Sequence, residues 1–448
     1  MATFTLRTHC RTRVFTAALV LLFVGITGCG DVPTGFSDTA ESADQSPKLR
    51  HAHLMERAMQ PGASKNGNAL GLILATNQTS ALQKQKVLER FKVLERYKVL
   101  ERHSYEEAIN GWAIEVEDSL GQGDFNAFLD SLDADPDITW YEPDFGITMP
   151  PSSSTPGGSG QELPWSIQHI GGHLSPAVSG DGSGSVPVDV YVLDTGVAQA
   201  DNNDPNDDFA LVNSIDFREG MNDAKDYDGH GTHIAGIIAA VDDGDGIVGV
   251  APGARVHNLK VLGDDGLTDV SVVIAAVEYL INEKLAHPSK PMVVNMSLGE
   301  DIGTPAYTAL DEAISEAISH GIIFVVAAGN QGKDVSHITP AHVAEAITVG
   351  SYGPTNFFSS FSNRGPGVDV LAPGEQILSL GPGGDHDRVL MTGTSMATAH
   401  VTGAVALYLW AYPSATPAQI HAEVMNYTKP IILGTPSNTT NRTLWIGL

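Results

Sequence analysis

Residues 186–194 read VPVDVYVLD, an apolar, β-branched run that ends in an acid and is followed by Thr195-Gly196. Such a run predicts a strand buried on both faces, as in a parallel sheet covered by helices. Asp194 then stands at the strand's carboxyl end, where α/β sheets place their sites. Residues 322–330, IIFVVAAGN, repeat the pattern and end in Asn330. Two runs of small and apolar residues, HGTHIAGIIAA from His230 and SMATAHVTGAVALYLWAY from Ser395, predict tightly packed buried helices. An acid, an imidazole and a hydroxyl, each beside a glycine, are the parts of an activated nucleophile. The N-terminus of the Ser395 helix favours developing negative charge.

The rest of the composition narrows the class. With 448 residues, 42% of them hydrophobic and 17% charged, the chain is too apolar to be disordered and long enough for two domains plus linkers. A formal net charge of -28 argues against a nucleic-acid partner, which needs clustered Lys and Arg. From Gln161 onward there are 33 acidic against 11 basic residues, so the excess lies with the motifs and fits solubility and cation binding. Cys10 and Cys29 are the only cysteines, which excludes a thiol nucleophile or a disulfide staple in the catalytic part.

The first 28 residues read as a secretory signal: Arg7, Arg11 and Arg13, then an apolar run at 14–26 too short to span a bilayer. The sequence Ile26-Thr27-Gly28-Cys29 resembles a bacterial lipoprotein cleavage box, which implies lipidation of Cys29 and a membrane partner through that lipid. Residues 29–67 are polar and read as a tether. The sequons at Asn77, Asn438 and Asn441 are expected to be inert behind a bacterial export signal.

Residues 68–148 carry a strand-helix-strand-strand-helix-strand pattern, a small α+β, ferredoxin-like unit. Within it KVLER occurs at Lys86, Lys92 and Lys98. Six residues turn a helix through about 600°, so the repeat cannot keep one helical face, whereas an even period keeps one face of a strand. We expect a helix passing into a strand. Residues 149–160 form a Pro/Ser/Gly linker suited to lie extended through a cleft and be cut, although nothing in its sequence names the bond.

The ordered motifs DTG at Asp194, HGTHIAG at His230, AAGN ending at Asn330 and GTSMATAHVTG around Ser395 resemble the subtilisin family of serine endopeptidases, from residue 161 to 448. The resemblance implies a three-layer α/β fold with a mostly parallel central sheet, and an inhibitory propeptide in residues 68–148. It implies that Ser395 is the nucleophile, His230 the base and Asp194 its orienter, with Asn330 and the Ser395 N–H as oxyanion hole. His233 and His400 then have packing roles. Gly266, Leu267 and Thr268, with Ser297, Leu298 and Gly299, match the two backbone edges that flank a peptide substrate, which implies broad specificity. Ala399 stands where the family usually has proline, a position expected in the helix's first turn, where either residue is at home.

The loop 241–249, VDDGDGIVG, matches the family's calcium loop. The implied ligands are Asp243 through its side chain, Val241, Asp245 and Ile247 through carbonyls, and Gln161 with Asp208, Asp207 fitting nearly as well as the last. Asp223, Asp226 and Asp228 are candidates for a second ion. The resulting expectation is an exported, self-processing, monomeric serine endopeptidase acting on peptides, its own propeptide included. A catalytically silent peptide-binding protein on the same fold is the alternative. An esterase is disfavoured because Ser395 lacks a Gly-x-Ser-x-Gly elbow.

Overall fold

The computed structural model describes residues 48–55, 69–92, 99–117, 122–149, 161–198, 209–244, 246–383 and 387–447. The signal segment, Cys29, the linker 150–160, Asp207, Asp208 and Asp245 lie outside the described residues. None of the described helices is long and apolar enough to cross a membrane.

Strand Asp189–Asp194 forms where the apolar run predicts it, with all six residues buried. It lies inside a sheet whose described strands run in the order Thr428–Lys429, Thr443–Leu444, Val370–Pro373, Ile347–Tyr352, Ile323–Ala327, Met292–Met296, Asp189–Asp194, Arg255–Lys260 and Ala210–Asp216. Every neighbouring pair is parallel except the first, at the edge. Side chains alternate between two cores, as a period of two demands. Val190 and Val192 meet the helices His230–Ala239 and Thr394–Ala411, whereas Tyr191 and Leu193 meet Val270–Ala286 and Ala309–Ser319. The fold is thus α/β and three-layered.

Residues 69–143 form a separate antiparallel sheet in the order Val99–Tyr105, Gly111–Glu117, Ala69–Thr76, Ile138–Pro143, with helices Ala81–Lys92 and Gln122–Ala134. Leu72, Leu74, Val87, Leu88, Trp112, Ile114 and Phe128 build its own core. The first KVLER copy lies in the helix, while Val99 to Arg102 of the third lie in a strand; the middle copy falls largely outside the described residues.

The stretch expected to be only a tether is partly folded. Leu49 bridges Tyr141 in parallel, and a short 3-10 turn, Ala52–Leu54, buries Leu54 in a core shared with the large sheet. The reason is composition: Leu49, Leu54 and Met55 interrupt the polar run with apolar side chains that find cover.

Candidate active site

Three adjacent parallel strands, Asp189–Asp194, Met292–Met296 and Ile323–Ala327, end on one side of the sheet. Their carboxyl ends deliver Asp194, Ser297 and the 328–330 turn to one place. The large sheet therefore gathers residues that are more than a hundred positions apart in sequence.

Asp194 is fully buried, and its Oδ1 lies 2.7 Å from His230 Nδ1. A carboxylate there fixes the proton on Nδ1, which leaves Nε2 as an acceptor. Nε2 is buried and makes no hydrogen bond among the described residues. Burial is the strongest influence on this ring and favours the neutral form, but the charge and hydrogen bond of Asp194, with Asp228 and Asp226 behind it, raise its pKa above 6.5.

His230 opens its helix because Gly229 adopts φ 101, and the DTG turn packs so closely that a Cβ on Gly231 would collide with the Gly196 carbonyl. Asp226 locks the two segments together. Its Oδ1 accepts from Thr195 Oγ1 at 2.9 Å and Gly229 N at 2.9 Å, and its Oδ2 accepts from Thr232 N at 2.9 Å and Thr232 Oγ1 at 2.6 Å. This corrects the expectation of a second ion on Asp223, Asp226 and Asp228: both oxygens of Asp226 are already saturated, and no cluster of three or more His, Cys, Asp or Glu suited to a metal occurs among the described residues.

Ser395 is the second residue of helix Thr394–Ala411 and is buried. Its Oγ lies 3.5 Å from the Ser297 carbonyl, a contact at the limit of a hydrogen bond, and makes none to His230. Catalytic hydrogen bonds are often loose without substrate. Asn330 is held by its oxygen, which accepts from Thr394 N at 2.8 Å and Thr394 Oγ1 at 3.0 Å. Its amide nitrogen is then the end left for another acceptor.

The other two histidines of these helices are structural. His233 Nε2 meets the Ile377 and Val389 carbonyls at 3.0 Å, and burial pushes its pKa down to about 3. His400 Nδ1 donates to Met396 O at 2.7 Å, and burial pushes it down to about 4. Ala399, expected in the first turn, is instead the sixth residue of its helix. Its N–H is therefore placed to reach the Ser395 carbonyl, a bond that proline would remove. That carbonyl also accepts from Ser297 Oγ at 3.2 Å.

Both expected substrate edges carry a strand already. Gly146–Thr148 pairs antiparallel with Leu267–Asp269 and, through Thr148, bridges Gly299. Met149 N donates to Gly266 O at 3.1 Å. Beside them a pocket of about 240 Å³ is lined by Ser297, Leu298, Gly329, Asn330 and Ser395 and bounded by Met149.

Around the calcium loop, Gln161 N donates to Gly244 O at 3.3 Å, and Glu162 pairs in parallel with Ile247. The Gln161 amide nitrogen is 3.3 Å from the Val241 carbonyl; rotated by half a turn, it donates to Asp242 instead. Three of the implied ligands, Gln161, Val241 and Ile247, thus converge, with Asp243 exposed beside them. Asp242, which the sequence reading passed over, is buried and accepts from the Gly180 and Asp181 N–H groups.

The sequence reading also missed Thr394, Thr195 and Asp226, the side chains that brace the site. Their signal was present, since Thr195 and Thr394 adjoin Asp194 and Ser395 and Asp226 lies four residues before His230, but their partners are distant in sequence.

The model of the subtilase family matches residues 160–443. An extracellular serine proteinase of Thermus sp. (strain Rt41A) is 35% identical over 400 residues, covering 88% of this chain and 84% of the relative. Subtilisin BL of Lederbergia lenta is 36% identical over 267 residues, 59% of this chain and 91% of that protein. Among solved structures, a cold-adapted subtilisin-like serine proteinase matches with a TM-score of 0.53 at 35% identity, covering 63% of this chain and 97% of its own. The chain belongs to the subtilase family and is a serine-type endopeptidase.

Proposed function

We propose that peptide hydrolysis runs through Asp194, His230 and Ser395. Ser395 Oγ attacks the scissile carbonyl as His230 Nε2 takes its proton, and Asp194 holds the ring and offsets the positive charge that forms. The oxyanion accepts hydrogen bonds from the Ser395 N–H and the Asn330 amide. His230 then returns the proton to the leaving amine, and water releases the acyl group by the same route. The observation that carries this reading is the 2.7 Å contact between Asp194 and His230, with Nε2 left as a buried acceptor. Substrate adds as a strand between 266–268 and 297–299, and main-chain pairing of this kind supports broad specificity.

Residues 68–148 are read as the inhibitory propeptide of a self-processing precursor, acting on the cleft of the same chain. Two features support this. Glu142 Oε1 accepts from Ala309 N at 3.0 Å and Asp144 Oδ1 from Ser271 N at 2.9 Å, so the small unit caps two helices of the large one. The Thermus relative covers more of the chain than residues 161–448 supply. Export by residues 1–28 fits the extracellular relative, and Cys29 is the proposed lipid attachment point.

The match of the loop 241–249 to the family's calcium loop supports a structural calcium site. In this chain Gln161, Val241, Asp243 and Ile247, with Asp208 and Asp245, would hold the ion, a hard-oxygen set suited to Ca²⁺. Bound there, calcium would fasten the Gln161 segment to the loop; a melting temperature unmoved by a strong chelator would count against it.

The test of the triad is Ser395→Ala. Turnover of a peptide substrate should fall by about a millionfold, the magnitude known from subtilisin itself. Retained hydrolysis would leave the silent-binder alternative or another nucleophile in its place.

A further inference from the structure

The segment ahead of the small sheet makes contacts that a tether has no use for. Lys48 to Arg50 lie along that sheet's outer strand, Ile138–Pro143: Tyr141 N donates to Lys48 O at 3.0 Å, and Arg50 N donates to Tyr141 O at 2.8 Å. His51 then turns the chain sharply, with φ 50 and ψ 40, a left-handed conformation uncommon for a residue that carries a side chain. Such a conformation persists only where its surroundings hold it.

What holds it is the large unit. His51 and His53 each donate from Nε2, to the Tyr307 carbonyl at 3.0 Å and the Ile302 carbonyl at 2.5 Å. The Arg50 guanidinium lies 4.1 Å from the centre of the Trp140 ring and pairs with Glu312 Oε1 at 2.5 Å. Leu54 ends in the core that both units share. Within seven residues, then, the chain passes from the small unit's edge to a face of the large one made by Ile302, Tyr307 and Glu312.

Under this segment sits Glu142, fully buried. Its Oε1 accepts from Ala309 N at 3.0 Å, and the His51 ring lies 3.8 Å from its Oε2. A hydrogen bond is stronger where water is kept out, and water admitted to Glu142 would compete for the Ala309 N–H. The segment therefore adds contacts of its own and keeps dry a contact that the small unit makes.

We propose that residues 48–54 are a clasp: the face at Ile302, Tyr307 and Glu312 is their docking surface, and their seating there slows the departure of the small unit after the chain is cut between the two units. This rests on the reading of residues 68–148 as an inhibitory propeptide and concerns only what retains it, whichever bond is cut.

The test uses the full chain at one fixed concentration, following the cut on gels and hydrolysis of a small peptide substrate in parallel. In the native chain, activity should lag behind the cut. Leu54→Ala should shorten that lag by about tenfold, the size expected when a buried interface anchor is truncated. Arg50→Glu, which sets like charges against each other at a partly exposed pair, should shorten it by about threefold, and adding Glu312→Arg should restore the native lag. An unchanged lag in both single variants overturns the proposal, as does a charge swap that fails to restore it. Should Leu54→Ala misfold, Arg50→Glu and its rescue decide alone. A native chain that is fully active uncut, or whose activity rises in step with the cut, removes the inhibitory reading itself and the clasp with it.

Discussion

The molecule's two large sheets are completed in different ways. The nine-stranded sheet is covered by helices on both faces; Val190 ends in a core walled by this part of the chain, and Tyr191, pointing the opposite way, in one that the small unit also enters. The four-stranded sheet covers only one face with its own helices. Leu72, Leu74, Trp112 and Ile114 fill that core, whereas Ile73, Ala113 and Tyr105 finish in a core shared with helix Val270–Ala286. A unit of this size buries only about 60% of its unfolded surface alone. The small unit therefore borrows burial from the large one.

If the large unit alone carries the chemistry, its site should be breakable without touching the small sheet. Asn330→Ala should lower kcat by about a hundred- to a thousandfold, the range known for this donor in subtilisin itself, with the melting temperature little changed. A loss below tenfold would remove Asn330 from the oxyanion hole. The borrowed face gives the next contrast. Leu74→Ala and Ile73→Ala should each cost about 2–5 kcal/mol within the small unit. Ile73→Ala should in addition speed amide hydrogen exchange at the start of helix Val270–Ala286, where Leu74→Ala should not; equal effects there would mean the two faces are not distinct.

The smallest expected effect is a shift along the pH axis. In the proposed mechanism His230 takes the serine's proton in its neutral form, and its pKa is raised above 6.5 because the Asp194 carboxylate outweighs burial. Activity should therefore fall as pH drops through a midpoint above 6.5, since protonation consumes the base. Asp194→Asn should move the midpoint of the residual activity downward; an unmoved midpoint would mean that another group controls it.

Much of the site could be read directly from the chain. Asp194, His230, Asn330 and Ser395 each close or open an apolar element next to glycine, and that local pattern is independent of what the rest of the chain does. Thr394 and Asp226 could not be read that way. A threonine before the nucleophile acquires its meaning only when the 328–330 turn arrives to be held, and Asp226 only when DTG and HGTH are brought side by side. Ala399 shows the same limit in a milder form, because counting helix positions requires knowing that the helix starts at Thr394.

The KVLER copies make the division plain. At 86–90 the sequence is helical, with Val87, Leu88 and, one residue beyond, Phe91 turned into a core; at 99–102 the same letters form a strand that leaves Leu100 half exposed. Local propensity differs by fractions of a kcal/mol per residue, so which neighbour covers the apolar side chains decides the outcome. By itself the sequence determined the buried parallel strands, the packed helices and the glycines at their mouths, because each depends on residues next to one another. Only the tertiary structure decided that Asp194 meets His230 and that the 146–149 strand lies between two edges of the large unit. The first contact spans 36 residues and the second more than a hundred, and both wait on the sheet that brings their elements together.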